Sequence, residues 1–406
     1  MLLANMMRRV IQRGHITLID ANGRQHEIRG RTEGMHATVR LHDTSRHWSL
    51  LVNPQLTLGE AYMDGTLTVE DGDIADLLAI VMQNIENLGQ HWAFTISRRW
   101  RYLTRRFAQA NSILRSRSNV AHHYDLSDEL FAKFLDSDRF YSCAYFESFH
   151  NDLERAQAAK ARHLAAKLRL EPDCKLLDIG SGWGSLAMHL AKLGAGHVDA
   201  ATLSRSQQAY AQDWVEREGL SDRIKSKLED YRDLRGPYDR IVSVGMFEHV
   251  GIGHFQEYFE KIRDLLADDG VAVIHAIGRF GPGGSTNPWI AKYIFPGGYI
   301  PALSEVFPVI ENVGLLTTDV EILRLHYAQT LQCWRERFYE SWDEIAELYD
   351  ERFCRMWEFY LAASEMSFRH GGNMVFQLQL TKDQHALPLT RDYITDWERE
   401  HPLDQE

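Results

Sequence analysis

The chain has 406 residues, 44% of them hydrophobic, and carries a formal net charge of −12. That length suits two or three globular domains, and the acidic balance argues against a nucleic-acid partner. No run of about 20 apolar residues is present, which excludes a spanning helix, and the amino terminus lacks the order of a secretory signal, so a cytoplasmic protein is expected.

The first elements are short strands. His15–Asp20 and Arg24–Ile28 flank Ala21-Asn22-Gly23, a hairpin signal because Asn-Gly accepts positive φ. Thr38–Leu41 and His47–Val52 read as further strands, and Asp73 to Asn84 as a helix. Next, Trp92, Ile96, Trp100, Leu103 and Phe107 recur at helical spacing among Arg98, Arg99, Arg101, Arg105, Arg106, Arg115 and Arg117, with no acidic residue between Glu86 and Asp125. Such a basic amphipathic helix either lies on an anionic bilayer or packs its stripe on its own domain and leaves the arginines solvated. Residues 1–118 are read as a smaller α+β amino-terminal domain and 119–406 as the catalytic domain.

From Lys175 the pattern alternates. Lys175–Ile179, His197–Leu203, Ile224–Leu228, Arg240–Val244 and Val271–Ile277 read as strands, and Gly184–Leu193, Ser206–Glu218 and Phe255–Leu266 as helices between them. This predicts a doubly wound α/β domain with a mostly parallel sheet. The first strand, ending Asp178-Ile179, runs into Gly180-Ser181-Gly182-Trp183-Gly184-Ser185. Glycines there let a ligand approach the backbone, and the helix start offers N–H groups. Ser185 breaks the G-x-G-x-x-G pattern, so the turn suits a ligand that lays an amino-acid tail on it, such as S-adenosylmethionine (SAM), better than a dinucleotide pyrophosphate. A turn kept only for helix–strand packing is the alternative.

Residues 279–301 are rich in Gly, Pro and aromatics (Trp289, Tyr293, Phe295, Tyr299) and read as an insertion lining a pocket. Helices over Ala328–Tyr339 and Trp342–Phe368 precede Met374–Leu380, an alternating strand expected to close the sheet. Cys143, Cys174, Cys333 and Cys354 show no C-x-x-C spacing, so neither disulfides nor a metal site is expected.

Four segments carry a resemblance: Ala121-His122-His123-Tyr124-Asp125-Leu126-Ser127, Phe140-Tyr141-Ser142-Cys143-Ala144-Tyr145-Phe146, Ser243-Val244-Gly245-Met246-Phe247-Glu248-His249-Val250-Gly251, and the run from Asn287-Pro288-Trp289 to Pro296-Gly297-Gly298. Together they resemble the cyclopropane-fatty-acyl-phospholipid synthases, a family that includes the mycolic acid cyclopropane synthases. The resemblance runs from Val120 to the carboxyl terminus. More loosely, Gly59-Glu60-Ala61-Tyr62-Met63-Asp64-Gly65 resembles the amino-terminal domain of the bacterial phospholipid enzymes.

The resemblance implies a class I SAM-dependent methyltransferase fold, Rossmann-like with an antiparallel closing strand. It implies SAM and bicarbonate as cofactors, unsaturated phospholipid in a bilayer as substrate and a homodimer; with the basic helix, peripheral attachment to the inner face of the membrane is expected. For SAM it implies Tyr141 and Ser142 at the methionyl part, Thr202, Leu203 and Gln207 at the ribose or methionine, and Asp230 and Tyr231 at the adenine. Gly180 and Gly182 complete that site, with Asp178 in support. Bicarbonate would be held by Glu248, His275, Tyr327 and backbone N–H groups near Cys143 and Ile277. With the Glu carboxylate beside an anion, the anion's own hydrogen must sit between them.

The chemistry implied is attack of a cis double bond on the SAM methyl in a dry pocket, then loss of a proton from that methyl as the ring closes. Aromatic faces stabilise the cation that forms, and Tyr145, Phe146, Phe247, Tyr293 and Phe295 are available unless they are core. Without the resemblance, His275 reads as a satisfied core histidine, whereas Glu248 ends a strand at the sheet's carboxyl edge, where ligands bind. Two alternatives stay open: a fatty-acyl C-methyltransferase giving a methyl-branched or methylene product, and a catalytically inactive lipid-binding protein. Intact Cys143, Glu248, His275 and Tyr327 favour ring closure.

Overall fold

In the computed structural model, residues 1–85, 87 and 126–403 are described; the expected basic helix and the Ala121–Asp125 part of the first motif lie outside them. Contacts divide the chain into two units. One joins the amino-terminal residues to Ser285–Pro296 and Leu331–Asn373, and the other contains the remaining described residues. Residues on both sides of position 118 therefore share the first unit.

That unit contains a sheet of β1 (Arg13–Ile19), β2 (Gln25–Arg29), β3 (Thr32–Leu41) and β4 (Leu67–Asp71) in the order β2-β1-β3-β4. β1 and β2 form the expected antiparallel hairpin. Its turn is fixed by Asp20, whose Oδ1 accepts the N–H groups of Asn22 and Arg24 at 3.0 Å each, and by Gly23 at φ 81°. β1 pairs parallel with β3, and β4 closes antiparallel on β3.

His47–Val52, expected as a strand, is instead part of a helix over Ser45–Val52. Asp43 turns the chain just before it by accepting the Ser45 N–H at 2.8 Å, and Asn53-Pro54 ends it. The short apolar run HWSLLV fits either period, and neighbouring turn chemistry decides. Helices over Leu2–Val10, Pro54–Met63 and Ile74–Gln83 surround the sheet's sequence, the last opened by a reciprocal Asp73–Asp76 capping box.

The middle of the aromatic insertion belongs to this unit. Trp289 seats on Gly59, where a Cβ would lie 2.4 Å from its indole nitrogen, and Trp289 Nε1 donates to Met63 Sδ at 3.2 Å. Tyr293 Oη donates to Glu60 Oε1 at 2.9 Å, and Phe295 packs edge-on against Tyr360. The helix expected over Trp342–Phe368 is two, Trp342–Leu348 and Glu351–His370, because Asp350 caps the second by accepting the Phe353 N–H at 2.6 Å.

The second unit is built on seven strands: β5 (Lys175–Ile179), β6 (His197–Thr202), β7 (Ile224–Leu228), β8 (Tyr238–Val244), β9 (Leu266–Arg279), β10 (Leu316–Leu323) and β11 (Asn373–Thr381). Their order is β10-β11-β9-β8-β5-β6-β7. β7, β6, β5, β8 and β9 pair parallel in turn, and β10 and β11 pair antiparallel. Apolar residues predominate along the inner strands, which helices cover, with interruptions such as Asp178, Asp199 and Arg240. One apolar layer centres on Ile241, Phe259 and Ile274, the other on Leu176, Leu190 and Val242. β5 lies between β6 and β8, so the strand order switches direction there, and a crevice opens at the carboxyl ends. Among the described residues no helix is long and apolar enough to cross a membrane.

Candidate active site

The crevice at the switch point is shaped by the turns after β5, β6 and β8. After β5, Gly180 and Gly182 take φ values of 83° and 56°. A Cβ on Gly180 would stand 2.9 Å from Met246 Cβ, so the glycine allows the turns after β5 and β8 to close on one another. Around Gly182 there is open space. The resulting cleft is lined by all ten residues singled out for the cofactor: Tyr141, Ser142, Asp178, Gly180, Gly182, Thr202, Leu203, Gln207, Asp230 and Tyr231.

Three cleft residues carry buried polar atoms without a partner: Asp178 Oδ2, Ser181 Oγ and Gln207 Nε2. Native interiors satisfy such groups, so their convergence here marks a place for a polar ligand. Burial pushes the Asp178 carboxyl up to about 7, against the opposing pull of Lys160. Thr202 Oγ1 donates to Gln207 Oε1 at 3.3 Å, which leaves the Gln207 amide hydrogens to point elsewhere. Asp230 is gripped by the Arg232 guanidinium at 2.8 Å through both Nε and Nη2.

The five residues singled out for an anion sit on two supports. Glu248 follows β8, and its Oε1 accepts the Ile277 N–H of β9 at 2.5 Å. The Ile277 N–H thus binds the Glu248 carboxylate itself. Glu248 Oε2 is buried and unpartnered, and burial raises the carboxyl to about 7. His275, two residues before Ile277, is buried and held well below its ordinary pKa by burial first and by the Lys160 charge next, so the ring is neutral.

The second support joins the 143–146 segment to the start of the helix His326–Glu340. The Ala144 N–H donates to Thr330 Oγ1 at 3.0 Å, and the Phe146 N–H donates to His326 Nδ1 at 2.9 Å. Tyr327 lies on that same first turn. Cys143 is fully buried, its thiol pushed far up by burial, which suits a backbone role and not a nucleophile. Of the aromatics considered for a cation, Phe247 is core, 1% exposed among Phe255, Tyr258 and Phe259. Tyr145 is stacked on His163 and His326, with centroids at 4.3 and 5.0 Å.

Two residues near these groups were not singled out from the sequence. Lys160 is wholly buried in the helix Leu153–Lys167; its Nζ donates to Ser142 Oγ at 2.9 Å and Gln157 Oε1 at 2.6 Å and lies 3.7 Å from the Phe140 ring centroid. It acts electrostatically on Cys143, Asp178 and His275, which links the two groups, while burial lowers its own ammonium to about 7 against the opposing pull of Asp136. Gln377 of β11 donates from Nε2 to His275 Nδ1 at 3.1 Å, which places the ring hydrogen on Nε2. Nothing in the sequence sets either apart: the helix Leu153–Lys167 also carries Arg155, Gln157, Arg162 and Lys167, and β11 also carries Gln379.

Residues 111–378 match the family model described as mycolic acid cyclopropane synthetase, and residues 4–91 match a domain family of unknown function. The chain is 37% identical over 347 residues to the cyclopropane-fatty-acyl-phospholipid synthase of Escherichia coli K12, covering 85% of this chain and 88% of the relative. It is also 37% identical to the tuberculostearic acid methyltransferase of Mycobacterium tuberculosis, covering 80% and 78%. Among solved structures, a mycolic acid cyclopropane synthase complexed with S-adenosylhomocysteine (SAH) and CTAB superposes with a TM-score of 0.61 at 33% identity, covering 65% of this chain and 97% of that one. Coclaurine N-methyltransferase bound to SAH, 20% identical with a TM-score of 0.65, shares the fold.

Proposed function

Because the chain belongs to the mycolic acid cyclopropane synthetase family, we propose that it moves a methylene group from SAM to the cis double bond of an unsaturated acyl chain in bilayer phospholipid, closing a cyclopropane ring. The observation that carries the reading is Glu248: a buried carboxyl beside the cofactor-type cleft, with one oxygen on the Ile277 N–H and the other unpartnered. Phospholipid is preferred because the match to the E. coli enzyme spans 85% of the chain and so extends past residues 111–378.

The cleft fits SAM through its unpartnered polar atoms and the open space at Gly182. Thr202, Gln207, Asp230, Tyr231, Tyr141 and Ser142 would hold it, and it would supply a methyl activated by the sulfonium. Lys160 fixes the hydroxyl of Ser142, and Gln157 fixes the Ser142 carbonyl at 3.1 Å, so the methionyl end meets a set geometry.

The second group fits a small anion. Neutral His275 offers its Nε2 hydrogen, Glu248 Oε2 is without a partner, and a carboxyl poised near 7 accepts or returns a hydrogen at neutral pH. With Tyr327 and the N–H near Cys143, these residues would hold bicarbonate, which would supply the base that ring closure needs. Burial of His275 and Glu248 keeps bulk water away, so a cationic acyl chain is not quenched to an alcohol. Attachment to the inner face of the membrane and a homodimer complete the reading.

A second reading, a fatty-acyl C-methyltransferase, is kept by the equal 37% identity to the tuberculostearic acid methyltransferase. The test is to incubate the protein with SAM and vesicles of a cis-monounsaturated phospholipid, then analyse the released acyl chains by gas chromatography before and after catalytic hydrogenation under conditions that spare the ring. An added CH₂ that persists as a ring supports the synthase. A methylene or methyl-branched chain establishes the second reading in its place.

A further inference from the structure

The amino-terminal unit holds a cavity of about 110 Å³. Its walls include Leu3, Met6 and Met7 of the helix Leu2–Val10, Leu18 of β1, Val39 of β3 and Leu58 of the helix Pro54–Met63. Every lining residue is aliphatic, a methionine or a proline. Water gains no partner in such a space, and a comparable cavity of about 150 Å³ stays dry and takes up benzene. The space is partly open, and where it stays empty its apolar walls lack dispersion partners. A fitting ligand is a hydrocarbon, and the volume admits a few carbons of a chain end, not a molecule bearing its headgroup. Methionine side chains adapt to such a guest.

The helices around the cavity also carry apolar side chains outward. Leu2 is 60% exposed, and Trp48 and Val52, on the helix Ser45–Val52 whose Leu50 lines the cavity, are 64% and 72% exposed. Short helices with apolar groups on the cavity side and on the solvent side suit transfer of a chain from a bilayer better than capture of one from water.

We propose that this cavity binds the terminal segment of a phospholipid acyl chain and so holds the amino-terminal unit on the bilayer. Only the choice of a lipid rests on the proposed function; the shape and chemistry of the cavity do not.

The test uses the full-length protein and vesicles of phosphatidylglycerol carrying a diazirine near the methyl end of one acyl chain. After irradiation and proteolysis, the label is expected in peptides from 2–10 and 54–63. Val39→Phe and Val81→Phe fill the void from two elements; each is expected to raise Tm and to cut that label by about tenfold, as loss of a chain-end site would. SAH affinity should not change in either variant. Label missing from those peptides, or undiminished in both folded variants, overturns the proposal and leaves a packing void. Labelling by a free diazirine fatty acid with none from phospholipid also overturns it. Turnover measured on the same samples separates the two claims: a ring product with an unlabelled cavity refutes this proposal alone, and label without product refutes the proposed function alone.

Discussion

The cleft at the carboxyl edge of the seven-stranded sheet and the cavity in the four-stranded unit are built from opposite materials. The cleft presents Asp178 Oδ2, Ser181 Oγ and Gln207 Nε2, all buried and unpartnered, whereas the cavity has only hydrocarbon and thioether walls. A fold tolerates the first at a cost in stability because a ligand's hydrogen bonds restore what burial removed. It tolerates the second only as a void or as a seat for an apolar guest. The kind of deficit, missing hydrogen bonds or missing contacts, therefore names the kind of ligand.

The largest expected effect breaks the polar side of this contrast without touching the cofactor. Glu248→Ala should lower turnover on vesicles by about 10³-fold, in the range for losing a positioned acid–base group, while SAH affinity measured by calorimetry stays within twofold, about the scatter of such a measurement. Near-normal turnover would show that the unpartnered Oε2 has no part in the reaction.

Next in size is a pH effect on stability. Burial raises the Glu248 carboxyl from 4.5 to about 7. Between those values the folded state binds more protons than the unfolded one, so the contribution of this group is fully present at low pH and is lost as pH rises through about 7. Relative to Glu248→Gln, wild-type unfolding free energy should fall by about 3 kcal/mol across that window, at about 1.4 kcal/mol per pH unit. Parallel denaturant curves at pH 5 and pH 8 check the sign; a constant difference would contradict it.

A pair of substitutions of similar or smaller size sharpens the comparison. Leu18→Asn puts a polar group into the apolar cavity and should cost about 3 kcal/mol of stability with no change in SAH affinity. Gln207→Leu removes an unpartnered donor from the cleft and should do the reverse, weakening SAH by about tenfold while changing stability by less than about 1 kcal/mol. The smallest expected effect is from Gln377→Leu, which frees the His275 tautomer; kcat should fall a few-fold with KM for SAM unchanged. Equal responses of stability and affinity in any of these would blur the distinction between the two sites.

The sequence made the central sheet legible because β5, β6, β8 and β9 are apolar runs separated by glycine turns and amphipathic helices. β10 is not evident from the sequence because Leu316–Leu323 opens with the polar run Thr317-Thr318-Asp319 and, at the sheet's edge, is only partly buried. Leu2–Val10 has neither a capping side chain nor an acidic first turn to mark its start, and its role as a cavity wall depends on tertiary packing. In the site, the glycine turn and Glu248 stood out by position at a strand's carboxyl end, whereas His275 needed the family resemblance. Lys160 and Gln377 are hidden in the sequence because each is one of several polar residues on its element, Gln157 and Lys167 sharing the helix of the first and Gln379 the strand of the second. Their meaning appears only with their partners Ser142 and His275.

The most direct test of the account uses SAM with a fully deuterated methyl group, supplied to the wild type and to Glu248→Gln with vesicles of a cis-monounsaturated phospholipid. Mass spectrometry of the acyl chains then counts the deuteriums kept. The wild type should give a ring that retains two of the methyl's three deuteriums, and the variant little ring despite normal SAH binding. A wild-type product that keeps all three, or an undiminished ring yield from Glu248→Gln, would contradict the claim that this buried polar pocket serves to remove a proton from the transferred methyl.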